Sequence, residues 1–130
     1  LEGRAGFCAE IATVASEQLF GVHGTALELR SKRLGMLASN IANASTPGFK
    51  ARDIDFDAAM SAAKGPQGLT DSILTGATKF RVPLQASLDG NTVELSTEQT
   101  AFAENAVAYQ TTLAFLNGRI STLTRALRGE

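Results

Sequence analysis

Apolar residues recur along this chain with two different periods, and each change of period marks an element. Between about Ser16 and Asn43, Leu19, Phe20, Leu27, Leu34, Leu37 and Ile41 follow one another at helical intervals with no proline among them, which predicts an amphipathic helix. Arg30, Lys32 and Arg33 interrupt its apolar stripe midway. Gly21 and Gly24 each weaken a helix by about 1 kcal/mol relative to alanine, so the secure part is expected near residues 25 to 44. Pro47 turns Thr46 away from helical angles, and Asn43 supplies a polar end just before the Pro47-Gly48 turn.

Charged and apolar residues then alternate through Asp53-Ile54-Asp55-Phe56-Asp57, as in an extended segment with one buried face. Residues 58–79 are rich in Ala, Gly, Ser and Thr, carry the break Gly65-Pro66-Gln67-Gly68, and are expected to be flexible. Phe80-Arg81-Val82 and Thr92-Val93-Glu94-Leu95 read as β pieces on either side of Asp89-Gly90, predicting a small hairpin. Helical spacing returns at Ser96, where Ser96 and Gln99 have the separation of a capping box. Phe102, Ala106, Tyr109, Leu113, Leu116, Ile120, Leu123 and Leu127 follow at alternating intervals of four and three, a coiled-coil seam broken only by the weak helix former Gly118. Acidic Glu94, Glu98 and Glu104 near its start and Arg119, Arg125 and Arg128 near its end complement the helix dipole.

A helix of about 30 residues is roughly 45 Å long, more than 130 residues can surround with a compact core. The N-terminal helix is shorter and its stripe is interrupted, so part of the seam is expected to await other chains. The predicted class is therefore mainly α: N- and C-terminal helices pair as a coiled-coil-like core around a small, partly β, partly flexible insert. The divisions are 1–15, a remnant or flexible N-terminus suggested by the opening Leu1-Glu2-Gly3-Arg4; 16–46, the first core helix; 47–95, the insert; and 96–128, the second core helix.

Composition narrows the function further. Twelve basic residues against thirteen acidic ones give a net charge of −1, without the basic excess that a phosphate backbone requires. With 6% aromatic residues and no Trp, an aromatic-lined pocket is hard to build. Cys8 is the only cysteine and His23 the only histidine, so one chain forms neither a disulfide nor a Cys/His zinc site. No run of about 18 apolar residues and no basic-then-apolar leader is visible, which taken alone predicts a cytoplasmic protein.

Individual constellations of polar residues fall short of known chemistry. Asp53, Asp55 and Asp57 have the first three spacings of a calcium loop, but Ala58 stands where its glycine belongs and Lys64 where its final glutamate belongs, so a solvated strand face is the better reading. His23 lacks a second ligand, Cys8 lacks an adjacent base, and the 65–68 glycines lack the lysine of a phosphate loop. No catalytic residue, metal site or cofactor is expected. Asn40 and Asn43 share one helix face, fitting either capping or hydrogen bonds between subunits.

The block Leu37-Ala38-Ser39-Asn40-Ile41-Ala42-Asn43-Ala44-Ser45-Thr46-Pro47-Gly48-Phe49-Lys50 resembles the N-terminal signature shared by flagellar rod and hook proteins, with Phe49 where that family often has Tyr. Ala51-Arg52-Asp53-Ile54-Asp55-Phe56, Ser87-Leu88-Asp89-Gly90-Asn91-Thr92-Val93-Glu94 and Phe102-Ala103-Glu104-Asn105 are similar to stretches of the family's proximal rod members. The resemblance covers most of residues 16–127 but not 58–79. It singles out Asn40, Ile41, Asn43, Thr46, Pro47, Gly48, Phe49, Asp89, Gly90 and Asn91 as motif positions. It implies a discontinuous helical core packed with its neighbours into a tube, and a mechanical role in which the tube carries torque and passes later subunits. It also implies a periplasmic location in the basal body reached through the flagellar type III export apparatus without a cleaved signal. Expected partners are other copies, the rod protein FlgC, the rod adaptor FliE and the export gate; no nucleic acid and no small-molecule substrate are expected. The expected assembly interface is Leu27, Leu34, Leu37 and Ile41 on the first helix, with Phe102, Tyr109, Leu113, Leu116, Ile120, Leu123 and Leu127 on the second. Against this stand a cytoplasmic coiled-coil adaptor or export chaperone, another axial protein such as FlgC, and, least favoured, a small hydrolase.

Overall fold

The computed structural model describes the backbone of residues 2–129 and the side chains of residues 19–129. Two long helices, α1 (Glu2–Ala42) and α4 (Leu95–Arg128), pack along one another. They run antiparallel, since Asn40 meets Glu98 while His23 stacks on Phe115. Between them lie β1 (Arg52–Ile54), α2 (Phe56–Ala63), α3 (Asp71–Ala77) and β2 (Thr78–Phe80). This is the mainly α fold expected, with terminal helices paired around a small mixed insert.

Helix α1 is interrupted at Gly21, whose φ of 56° and ψ of −147° suit a residue without Cβ. It starts at Glu2, inside the stretch read from sequence as a remnant or flexible N-terminus; the side chains there, Cys8 included, lie outside the described residues. It stops where the sequence indicates. Asn43 Nδ2 donates to Ser39 O at 2.8 Å, Asn43 Oδ1 accepts from Thr46 Oγ1 at 3.1 Å, and Gly48 turns the chain with a φ of 73°.

The insert departs from expectation in three places. The alternation at 53–57 ends as a strand after Ile54, because Asp55 accepts from Ala58 N at 3.1 Å and thereby caps α2. Residues 58–79, expected to be flexible, carry most of α2, all of α3 and the start of β2, with Thr70 capping α3 through Ile73 N. The hairpin predicted between 80–82 and 92–95 does not form. Instead β2 pairs antiparallel with β1, Asp53 opposite Lys79, and Arg81 N donating to Ala51 O extends the ladder. Residues 92–95 turn away because Thr92 N donates to Phe49 O, just past the turn that follows α1.

Leu29, Ile54, Ala59 and Ala77 form the buried apolar centre, with Met36, Phe56, Met60, Leu69, Ile73 and Leu74 packed around it. The alanines explain why a stretch with few large aliphatics folds at all, since small side chains let α2, α3 and the β ribbon lie close against α1. Leu29 and Leu37 are fully buried, each contributing on the order of 2 kcal/mol. The Arg30 guanidinium closes one side, 4.2 Å above the Phe56 ring. Helix α4 begins at Leu95 with Glu94 as N-cap, so the Ser96–Gln99 capping box is not used. The Glu94 carboxylate makes no cap bond to the helix backbone and instead accepts from Leu84 N at 2.7 Å, fastening the preceding loop.

Candidate assembly site at the helix junction

The two halves of the sequence signature, about forty residues apart in the chain, meet in space at the end of α1. Asn91 is buried, and its Nδ2 donates to the carbonyl oxygens of Asn43, Ala44 and Thr46 at 2.9–3.0 Å. Those carbonyls belong to the turn that follows α1, so the amide fastens the chain just past the helix end from a distant loop. Asn91 is itself held in place: its N–H donates to Asp89 Oδ1 and its Oδ1 accepts from Val93 N. Gly90, with a φ of 74°, makes this tight turn, and Asp89 O accepts from Gly48 N at 2.9 Å. Lys50 Nζ completes the clamp on Gly90 O at 2.8 Å. Hydrogen bonds from Ser87 Oγ and Asn91 N hold the Asp89 carboxyl below its ordinary pKa.

One turn deeper lies a polar junction between α1, the insert and α4. Asn40 is fully engaged within the chain: Nδ2 donates to Arg52 O at 2.7 Å and to Glu98 Oε2 at 3.0 Å, and Oδ1 accepts from Arg52 N at 3.2 Å. Glu98 is completely buried, a costly position for a carboxylate without a counter-charge. Arg81 supplies that charge, its Nε 2.8 Å from Glu98 Oε1, although the N–H is not aligned for a hydrogen bond and the contact is an ion pair only. Arg81 Nη2 also donates to Asp53 Oδ2, and Arg33 donates Nε and Nη2 to both Asp53 oxygens at 2.7 and 2.8 Å. Burial would raise the Asp53 pKa, but the bonds and charge of Arg33, with Arg81 behind them, outweigh it and hold it below the ordinary value. The same bond raises Arg33 further above its own.

Along the α1–α4 contact, Glu98, Asn105 and Thr112 are the buried positions of α4. Asn105 Nδ2 donates to Arg30 O at 2.9 Å, and Arg119 lies against Gly21, where a Cβ would meet its Nη1 at 3.4 Å. The line toward α1 is therefore polar and spaced by seven, beside the apolar seam and not on it. Of the expected interface, Leu37 is buried within the chain and so belongs to the fold, while Leu27, Leu34, Ile41, Tyr109 and Leu116 are partly covered. Phe102, Leu113, Ile120, Leu123 and Leu127 remain exposed. Among the motif positions Ile41, Asn43 and Phe49 are half-buried, whereas Thr46 and Pro47 are exposed.

Arg33, Asp53, Arg81, Glu98 and Asn105 were not singled out from the sequence as a site. The available signal was the polar heptad Glu98–Asn105–Thr112–Arg119, which runs beside the apolar one on a helix that must face a partner. The three aspartates with calcium-loop spacing are engaged elsewhere: Asp53 with two arginines, Asp55 with the α2 cap and Lys79 Nζ, and Asp57 in the first turn of α2. Among the described residues there is no cluster of His, Cys, Asp and Glu able to hold a metal, and no helix long and apolar enough to cross a membrane.

The profile described as Flagella basal body rod protein matches residues 20–50, the stretch that carries Arg33, Asn40 and Asn43. The flagellar basal body rod protein FlgB of Aeromonas hydrophila is 45% identical over 129 residues, covering 90% of this chain and 98% of its own. That of Cereibacter sphaeroides is 49% identical over 120 residues, covering 85% and 94%, and that of Escherichia coli is 41% identical over 121 residues, covering 79% and 88%. With relatives this similar over most of their length and of its own, the chain belongs to the FlgB family of flagellar basal-body rod proteins.

Proposed function

We propose that this chain is a structural subunit of the proximal flagellar rod, in which copies pack side by side into a tube that transmits torque and lets later subunits pass. The observation that carries this reading is the combination of a rigidly clamped junction with an apolar seam left open along α4. Asn91 and the Arg33–Asp53–Arg81–Glu98 network fix the insert on the paired helices, while Ile120, Leu123 and Leu127 stay exposed among the described residues. A part that bears load needs the first feature, and a part that polymerises needs the second. The role is mechanical and needs no covalent step. The family relationship supports a place beside FlgC and the adaptor FliE, next to the export gate, in the periplasmic portion of the basal body, reached by the type III export apparatus.

Deleting the gene and complementing it tests the reading. Loss of swimming with rodless basal bodies, restored by the intact gene, is the expected result. Normal flagella in the deletion strain would remove the rod role and favour a cytoplasmic adaptor.

A further inference from the structure

After β2 the chain stays extended, and its side chains alternate between the junction and solvent. Arg81 turns inward to Asp53 and Glu98, and Pro83 is half-buried, whereas Phe80, Val82 and Leu84 are 70%, 86% and 90% exposed. Residues two apart on extended backbone point the same way, so these three form one apolar ridge about 13 Å long. Leu88 beyond it is fully exposed. A ridge of this kind, fixed from behind by an ion pair and at its end by the Leu84–Glu94 bond, is a built surface and not a loose loop.

The same chain carries a surface that matches it. From Leu116 to Leu127 the α4 seam presents apolar side chains over roughly 16 Å, close to the length of the ridge. The charges are also complementary. Within residues 80–95 the one basic residue, Arg81, is paired with Asp53 and Glu98, so Asp89 and Glu94 set the sign of that surface, while α4 beyond Glu104 contains Arg119, Arg125 and Arg128 and no acidic residue up to Gly129. The nearest lysines are held within the chain, Lys50 on Gly90 O and Lys79 on Asp55. The two surfaces of one molecule are kept apart, because Leu84 is pinned to the start of α4 and Leu123 lies about 42 Å further along the helix. We infer that the Phe80–Val82–Leu84 ridge of one copy seats the distal α4 seam of a second copy. The contact joins unlike surfaces, so it leaves one of each free and propagates as an open helical array instead of closing as a dimer. This deepens the rod-subunit reading and rests on it.

The test is cysteine cross-linking in purified basal bodies, with Leu84→Cys and Leu123→Cys in one chain whose single native cysteine, Cys8, is replaced by Ser. Both positions are exposed enough for folding to tolerate the change, and swimming and immunoblotting of the basal bodies establish that the variant is incorporated. A short bismaleimide should convert the doubly substituted chain into a ladder of dimers, trimers and higher species. Each single substitution, and the pairing of Leu84→Cys with Ser121→Cys on the opposite face of α4, should leave monomers. An incorporated double variant that stays monomeric, stops at dimers or joins a protein of another mass overturns the contact. Absence of the unsubstituted chain from basal bodies is a different result, and it sinks the rod reading together with the contact.

Discussion

Asp53 accepts from Arg33 on α1 and from Arg81 beyond β2, so a single carboxylate joins the helix to the insert. Its folded pKa lies below the ordinary carboxylate value of 3.8. A depressed acid adds stability that is complete above the unfolded pKa and disappears as pH falls through the lower folded one. Unfolding midpoints in urea should therefore fall as pH drops below about 5 and keep falling through the depressed folded pKa. Asp53→Asn should be less stable at neutral pH, by about 1–3 kcal/mol for three weakened charged hydrogen bonds, and should fall less steeply in acid. Some slope should remain, because the Lys79 bond to Asp55 and the Ser87 bond to Asp89 lower those pKa values too. Parallel pH profiles for the two chains would show that Asp53 is not the group that titrates.

At the scale of elements, α4 has two stripes with different tasks: a polar heptad turned to α1 and an apolar one left partly open. Leu116 sits in the apolar stripe and is only partly covered. Leu116→Asp should leave a soluble chain with its helical circular dichroism largely intact, yet abolish swimming and the recovery of rods, because assembly would bury an unpaired carboxylate at a cost of several kcal/mol. Normal swimming by this variant would remove the seam from the interface. The long helices were legible in the sequence because their periodicity is local, and so was the stop at Asn43–Pro47–Gly48. What was not legible depended on partners distant in the chain. Nothing within 80–95 reveals that β2 will pair with β1, or that Glu94 will fasten Leu84 and not cap its own helix. Asn40 and Asn43 stand three apart in the sequence, and only the fold separates the buried ligand of Glu98 from the helix cap.

For the whole molecule, the apolar centre lies between α1 and the insert, and the residues that α4 buries fully, Glu98, Asn105 and Thr112, are polar. An antiparallel pair of this kind gains little from burial when alone, so the free chain should show less helix by circular dichroism than the 34 residues of α4 and the 41 of α1 would give, and should gain helix on assembly. A fully helical, heat-resistant monomer would contradict this. The bond from Asn40 to Glu98 spans 58 residues, and that from Asn105 to Arg30 spans 75. Loops of that size must close before either bond forms. Synthesis proceeds from the N-terminus, so most of the chain exists before its latch does. Whatever receives the polypeptide during that interval meets a thread that has not yet locked, and completing the last quarter of the sequence acts as the timer that ends its pliable phase.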